Sequence, residues 1–189
     1  MMADNEFGYT LWGRDWVRLA QPLRQSESVR LQLPRARSLA RNNLVQATVE
    51  GRVVHASIHR GGAASVTRLE VAPLDRASIT AVSEIAPDTA MLTDDTYRAI
   101  VSAGITLAPV LVDTDCSCSA RTATCLHVLA VLYEIARRVD ENPRLALDLQ
   151  GYATAAASDS ESAGPPARWT PVASLDPATF FGARSSVSR

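Results

Sequence analysis

Apolar residues recur at two periods along the chain, and the changes of period mark its elements. Trp12, Trp16, Leu19 and Leu23, with Leu11 beside the first, stand three or four apart, as on one face of a short helix packed by its tryptophans. Pro22 predicts a bend or an end there. A short helical turn is expected over Arg35 to Asn42, stopped by Asn42-Asn43. Then the period drops to two. Val45, Ala47 and Val49 alternate with Gln46, Thr48 and Glu50. After Glu50-Gly51, Val54, Ala56 and Ile58 alternate with His55, Ser57 and His59. After Gly61-Gly62, Thr67, Leu69 and Val71 complete a third strand. This pattern predicts an antiparallel meander with one buried face.

Pro73 closes the meander. Asp75 is placed to cap a helix running to about Ala86, with Pro87 behind it, and Thr93 to cap another through Tyr97, Ile100 and Val101 to Gly104. Ile105 to Val112 reads as a short strand, and 113–127 as a cysteine-rich knuckle. Val128, Leu129, Leu132, Ile135, Ala136 and Val139 then form one apolar stripe, the strongest helical signal in the chain. Pro143 opens a last short helix, Leu145 to Leu149, stopped by Gly151. From Tyr152 to Pro171 the composition shifts to Ala, Ser, Gly and Pro, a flexible linker. The apolar pair Phe180-Phe181 beyond it is expected to dock back onto the domain.

Composition narrows the function classes. Of 189 residues, 47% are apolar and 21% charged, so wholesale disorder is excluded. No stretch approaches the roughly 20 apolar residues that span a bilayer. Met1 to Gly8 carries Asp4 and Glu6 without a basic cluster, unlike a secretory signal, so a cytoplasmic location is expected. All 19 basic residues are Arg, and Ala is abundant, as in proteins of high-GC genomes. Residues 1–72 carry ten Arg against six acids, whereas 73–151 carry six against eleven. The basic front makes Arg35, Arg37 and Arg41 candidates for a phosphate-facing, nucleic-acid-binding cluster; ordinary solvated surface is the alternative. His55 and His59 share a strand face and read as solvated. Asp113 and Asp115 read as loop acids, or as partners orienting His127. Asp94 and Asp95 read as helix N-terminal acids.

All three cysteines and one of the three histidines lie within twelve residues, as Cys116-x-Cys118, six residues, then Cys125-x-His127. Residues i and i+2 point the same way only on extended or turning backbone, which predicts that the following helix starts at or just after His127. Three sulfurs and one nitrogen complete the tetrahedron that Zn²⁺ favours, and soft thiolates disfavour Mg²⁺ and Ca²⁺. Four protein ligands leave no position for a reactive water, so the pattern points to a structural and not a hydrolytic ion. Three thiolates and Zn²⁺ sum to about −1, which the N-terminus of the next helix stabilises. A structural zinc is worth about 10–16 kcal/mol against about 5–15 kcal/mol for a whole domain. Its loss is therefore expected to unfold at least residues 105–150. Buried structural thiols, or a redox pair at Cys116 and Cys118, remain the alternatives.

The C-x-C-x6-C-x-H arrangement with an amphipathic helix directly behind it resembles the SWIM-type zinc finger. Cys125-Leu126-His127-Val128-Leu129-Ala130-Val131-Leu132-Tyr133 is similar to that family's C-x-H-x-x-A-x-L-Y run. Arg138 to Pro143, Leu149-Gln150-Gly151, Phe7-Gly8, Trp12-Gly13-Arg14, Trp16, Arg37 to Arg41, and Asp176-Pro177 with Phe180-Phe181 resemble segments of bacterial members. Ser119-Ala120-Arg121 stands where such members usually carry Pro and an acidic or aromatic residue, and Leu126 where they often carry Lys; neither departure touches a ligand. The resemblance implies Cys116, Cys118, Cys125 and His127 as zinc ligands and no catalytic residues. It also implies binding of DNA or protein, and partnership with a Swi/Snf-type helicase ATPase.

The expected architecture is α+β: a small antiparallel β-meander with flanking helices, then a zinc knuckle and an amphipathic helix. Residues 1–104 form an N-terminal α+β region, 105–151 the finger with its C-terminal helices, and 152–189 a linker and tail. The expected role is a non-enzymatic, zinc-binding interaction module that contacts a helicase ATPase, DNA or RNA, or both. A pure protein scaffold without nucleic-acid contact and a thiol-based redox or metal sensor are the rival readings.

Overall fold

The structure, a computed structural model, describes residues 6–87, 89, 91–120 and 124–153. The expected linker and the Phe180-Phe181 segment lie outside these residues. The fold is α+β: among the described residues, six helices flank a four-stranded antiparallel sheet whose strands lie side by side in chain order.

The strands are β1 (Val45–Glu50), β2 (Val53–Arg60), β3 (Ala63–Val71) and β4 (Leu111–Cys116). Two-residue turns set the register of the first three, pairing Glu50 with Val53 and Arg60 with Ala63. Gly61 and Gly62 both take positive φ (54° and 82°), as the tightest hairpin turn demands. Of the period-two residues, Val45, Ala47, Val54, Ala56, Ile58, Thr67, Leu69 and Val71 are buried as expected, and Val49 is half-buried.

The fourth strand departs from the expected Ile105 to Val112. The segment 105–110 is a connection, and β4 starts at Leu111 and runs to Cys116. Hydropathy misleads here because β4 is an edge strand with outward acids. Asp113 and Asp115 sit opposite Glu70 and Arg68, and Asp113 accepts a 2.6 Å ion pair from Arg68. They are strand residues, not loop acids.

The helices are α1 (Leu11–Ala20), α2 (Glu27–Arg41), α3 (Arg76–Ile85), α4 (Asp94–Ser102), α5 (Leu126–Glu141) and α6 (Arg144–Asp148). Asp75 and Thr93 cap α3 and α4 as expected, and Thr93 forms a reciprocal capping box with Thr96. Asp94 accepts the backbone N–H of Leu11 at 2.8 Å. The second helix is much longer than the turn expected over Arg35 to Asn42. It starts at the Ser26 cap and carries Pro34 inside. Leu33, Ala36, Leu39 and Ala40 are buried, and burying that face offsets the missing Pro34 N–H. The first half gives no apolar stripe because Leu31 faces solvent.

The organising helix is α5. It packs against α1 and α2 on one side and against β1, β3 and β4 on the other. Hence every residue from Val128 to Ala136 is buried, rather than a single stripe. Its C-terminal Asp140 is buried and holds the N-terminal segment, accepting from Gly8 N–H (2.6 Å), Thr10 N–H (2.9 Å) and the Thr10 hydroxyl (2.7 Å). Phe7 packs its ring 5.2 Å from that of Tyr133. No described helix is long and apolar enough to cross a membrane.

Candidate metal centre

Four donor residues come together where the sheet meets the start of α5. Cys116 ends β4 opposite Thr67 of β3. Pairing continues one residue further: Ser117 N–H donates to the Val66 carbonyl and Val66 N–H to Ser117 Oγ, both at 2.9 Å. This keeps the backbone extended through Ser117, so Cys118 falls on the same side as Cys116.

The second pair is built differently from expectation. The helix begins at Leu126, before His127, with Cys125 as its N-cap. Cys125 has extended dihedrals (φ −90°, ψ 170°), which swing its side chain over the first turn, where Sγ accepts Val128 N–H at 3.5 Å. His127 stands in that same turn. One extended residue at the cap therefore makes the C-x-H pair converge although His127 is helical.

The four donor atoms of Cys116, Cys118, Cys125 and His127 all lie within 4.8 Å of one another. Cys116 Sγ is 3.7 Å from His127 Nδ1. A tetrahedral ion with ordinary Zn–S and Zn–N bonds sets that edge at about 3.6 Å. The group can thus hold a metal ion, and its donors match a soft or borderline one.

The surroundings favour sulfur anions. Thr67, fully buried, donates its hydroxyl to Cys116 Sγ at 3.3 Å. The Val128 N–H at Cys125 and the start of α5 add positive potential. Without a cation, burial pushes the Cys125 thiol up to about 12, and the neighbouring sulfurs reinforce this against the pull of Val128 N–H. Cys118 moves the other way. Burial raises it, but hydrogen bonds from Ala120 N–H, Cys116 and Cys125 outweigh that and leave it below the ordinary thiol value. Sequence reasoning missed Thr67 as part of this site. Its only signal is a hydroxyl at an inward strand position, and its role depends on β4 lying beside β3.

The other candidates are not gathered into a site. Arg35 and Arg37 point about 200° apart on α2. Arg37 stacks over Tyr133 with its guanidinium carbon 5.4 Å from the ring centre, and its Nε donates to the Tyr133 hydroxyl at 3.2 Å. Arg41 is ion-paired with Glu6. That hydrogen bond is the largest influence on Glu6 and holds its carboxyl below the ordinary value, despite some desolvation. Arg35 is exposed. The three do not make one phosphate-facing patch. His55 and His59 are exposed, as expected of solvated histidines.

Comparisons of the chain with protein-family models, with curated proteins and with solved structures found no match.

Proposed function

We propose that this chain is a non-enzymatic zinc-binding module of the SWIM type, working in the cytoplasm as an interaction partner of a Swi/Snf-type helicase ATPase. The observation that carries the metal part is the convergence of three sulfurs and one imidazole within 4.8 Å. With all four donors engaged, a tetrahedral zinc has no position left for a substrate or a reactive water, so its work is structural. It ties the end of β4 to the start of α5. Reducing conditions in the cytoplasm keep three cysteines available for such a site. The family and the ATPase partner rest on the SWIM-like spacing and the residues around it.

Between protein and nucleic acid as the surface recognised, the arginines favour protein. Two of the three candidate guanidiniums are already engaged, Arg37 by Tyr133 and Arg41 by Glu6. Direct DNA or RNA binding is the second reading, and a steep salt dependence of binding to a labelled duplex or single strand supports it if found.

Elemental analysis of protein purified without chelators tests the metal. One zinc per chain is expected, with loss on Cys125→Ser or His127→Ala. A chain free of stoichiometric transition metal ends the proposal. Rapid thiol labelling of the metal-loaded protein at Cys116 or Cys118 argues for a sensor instead.

A further inference from the structure

The sheet has two edges, and only one of them is blunted. The β4 edge carries outward Asp113 and Asp115 and a register irregularity at Glu70/Val71. The β1 edge has one outward acid, Glu50 at its hairpin end, and neither a charge beside Gln46 or Thr48 nor a register irregularity. Its pairing with β2 is regular, it contains no Pro, and its inward residues are apolar. Leu44 C=O accepts His59 N–H at 3.1 Å, so the alternate residues Gln46 and Thr48 bond across to β2. By the same alternation, Val45, Ala47 and Val49 turn their N–H and C=O groups away from β2, toward a groove that Val45 and Ala47 line as buried residues. No backbone or side chain among the described residues takes them.

A cavity of about 550 Å³ borders this edge and reaches in across the sheet, lined by residues of β1 and β2, by Val66 of β3 and, from α5, by Glu134, Arg137 and Arg138. Glu134 is buried on α5 and fixes both guanidiniums. Arg137 is fully used: it bonds Glu134 at 2.8 Å and Glu141 at 2.7 Å. Arg138 gives only its Nε to Glu134, at 2.8 Å. Its two terminal nitrogens have no partner among the described residues. They form an oriented, open fork of the kind that takes a carboxylate.

We infer that the free edge of β1 docks an extended peptide segment of a partner protein, added as a fifth strand, with an acidic side chain of that segment held by Arg138. Backbone pairing at Val45, Ala47 and Val49 supplies affinity without sequence preference, and the fork supplies the preference for Asp or Glu. The inference extends the interaction-module reading to a definite surface, and it does not rest on the metal.

Random dodecapeptides displayed on phage, selected on the full zinc-loaded chain, test it. Survivors are expected to carry Asp or Glu within a β-forming stretch and to bind the wild-type chain at least tenfold tighter than R138Q. N-methylation of one alternate set of peptide residues is expected to abolish binding and of the other set to spare it. That series leaves the protein unchanged, so it holds even if R138Q folds poorly. Recovery of no binder, of binders without acidic residues, or of binders for which both N-methylated sets behave alike overturns the inference. Zinc content is measured alongside. A chain that carries no zinc when purified without chelators, yet binds through β1, sinks the metal proposal alone, and a zinc-loaded chain that binds nothing sinks this one alone.

Discussion

Gly13 and Asp140 form a pair whose mutual cost has a definite sign. Gly13 is in the first turn of α1, and a Cβ built on it falls 2.5 Å from Asp140 Cγ. Ala at 13 must therefore push the carboxylate away from Gly8 and Thr10. Removing Asp140 takes away three hydrogen bonds to a buried carboxylate and strands the Gly8 N–H inside. Bonds to a charged group are worth about 1.5–3 kcal/mol each. They share one acceptor and are not additive, so Asp140→Ala should cost about 3–5 kcal/mol. In the wild-type background Gly13→Ala should cost about 2–3 kcal/mol, the displaced bonds less the helix preference of Ala. In the Asp140→Ala background nothing is left to displace. There the same substitution should stabilise, by about 0.5–1 kcal/mol. The assay is urea unfolding of the four proteins at constant m, with the change read from the midpoint. Equal destabilisation by Gly13→Ala in both backgrounds refutes the contact, and so does an Asp140→Ala cost below about 1 kcal/mol.

Zinc at a thousand times its dissociation constant should add about 4 kcal/mol to stability, or about 8–16 °C in melting temperature for a body of this size; chelation should remove that, and His127→Ala or Cys125→Ser should melt independently of free zinc. A wild-type melting temperature indifferent to zinc refutes this. Thr67→Val keeps the shape of the side chain but loses the donor to Cys116, and zinc affinity measured by competition with a chromogenic chelator should fall about 10–100-fold; an unchanged affinity removes Thr67 from the site. Because Arg41 lowers the Glu6 pKa in the folded chain, the stabilisation it brings is complete above the ordinary value of 4.5 and is lost as pH falls through the lowered one. Stability curves of wild type and Glu6→Gln should run parallel above about pH 5 and converge in acid, and a constant gap down to low pH contradicts the pairing.

The sheet was legible because three signals agree in it: period-two burial, Glu50-Gly51 and Gly61-Gly62 at the turns, and a Pro at the exit. The caps Asp75 and Thr93 were legible for the same local reason, a short side chain accepting from its own third neighbour. What escaped depends on partners far along the chain. The front half of α2 shows no stripe, and its Pro34 argues against a helix; only packing of Leu33, Ala36 and Leu39 in the core holds it. The fourth strand escaped because its acids are acceptable only beside Arg68. The four donors were legible from spacing, which reported their proximity. The route to it was not, since spacing does not tell a cap residue from a loop residue. Arg35, Arg37 and Arg41 look like a cluster in one dimension and separate once α2 is a helix.

The position of α5 also changes what loss of the metal should look like. Weighed from sequence, the ion outmatches a domain's whole stability, and residues 105–150 should unfold without it. In the fold, α5 has an apolar anchorage of its own: Leu129, Leu132, Ile135 and Val139 are fully buried between the sheet and the helices α1 and α2. Burying a side chain of that size contributes about 1.5–3 kcal/mol, several times over along this helix. The same residues line the cores of both the sheet and the N-terminal helices, so the helix cannot leave without taking those cores with it. Removing the ion should therefore lower the melting of the whole described body and loosen the end of β4 with Cys118 and the Cys125 cap. It does not release residues 105–150 as a separate unit.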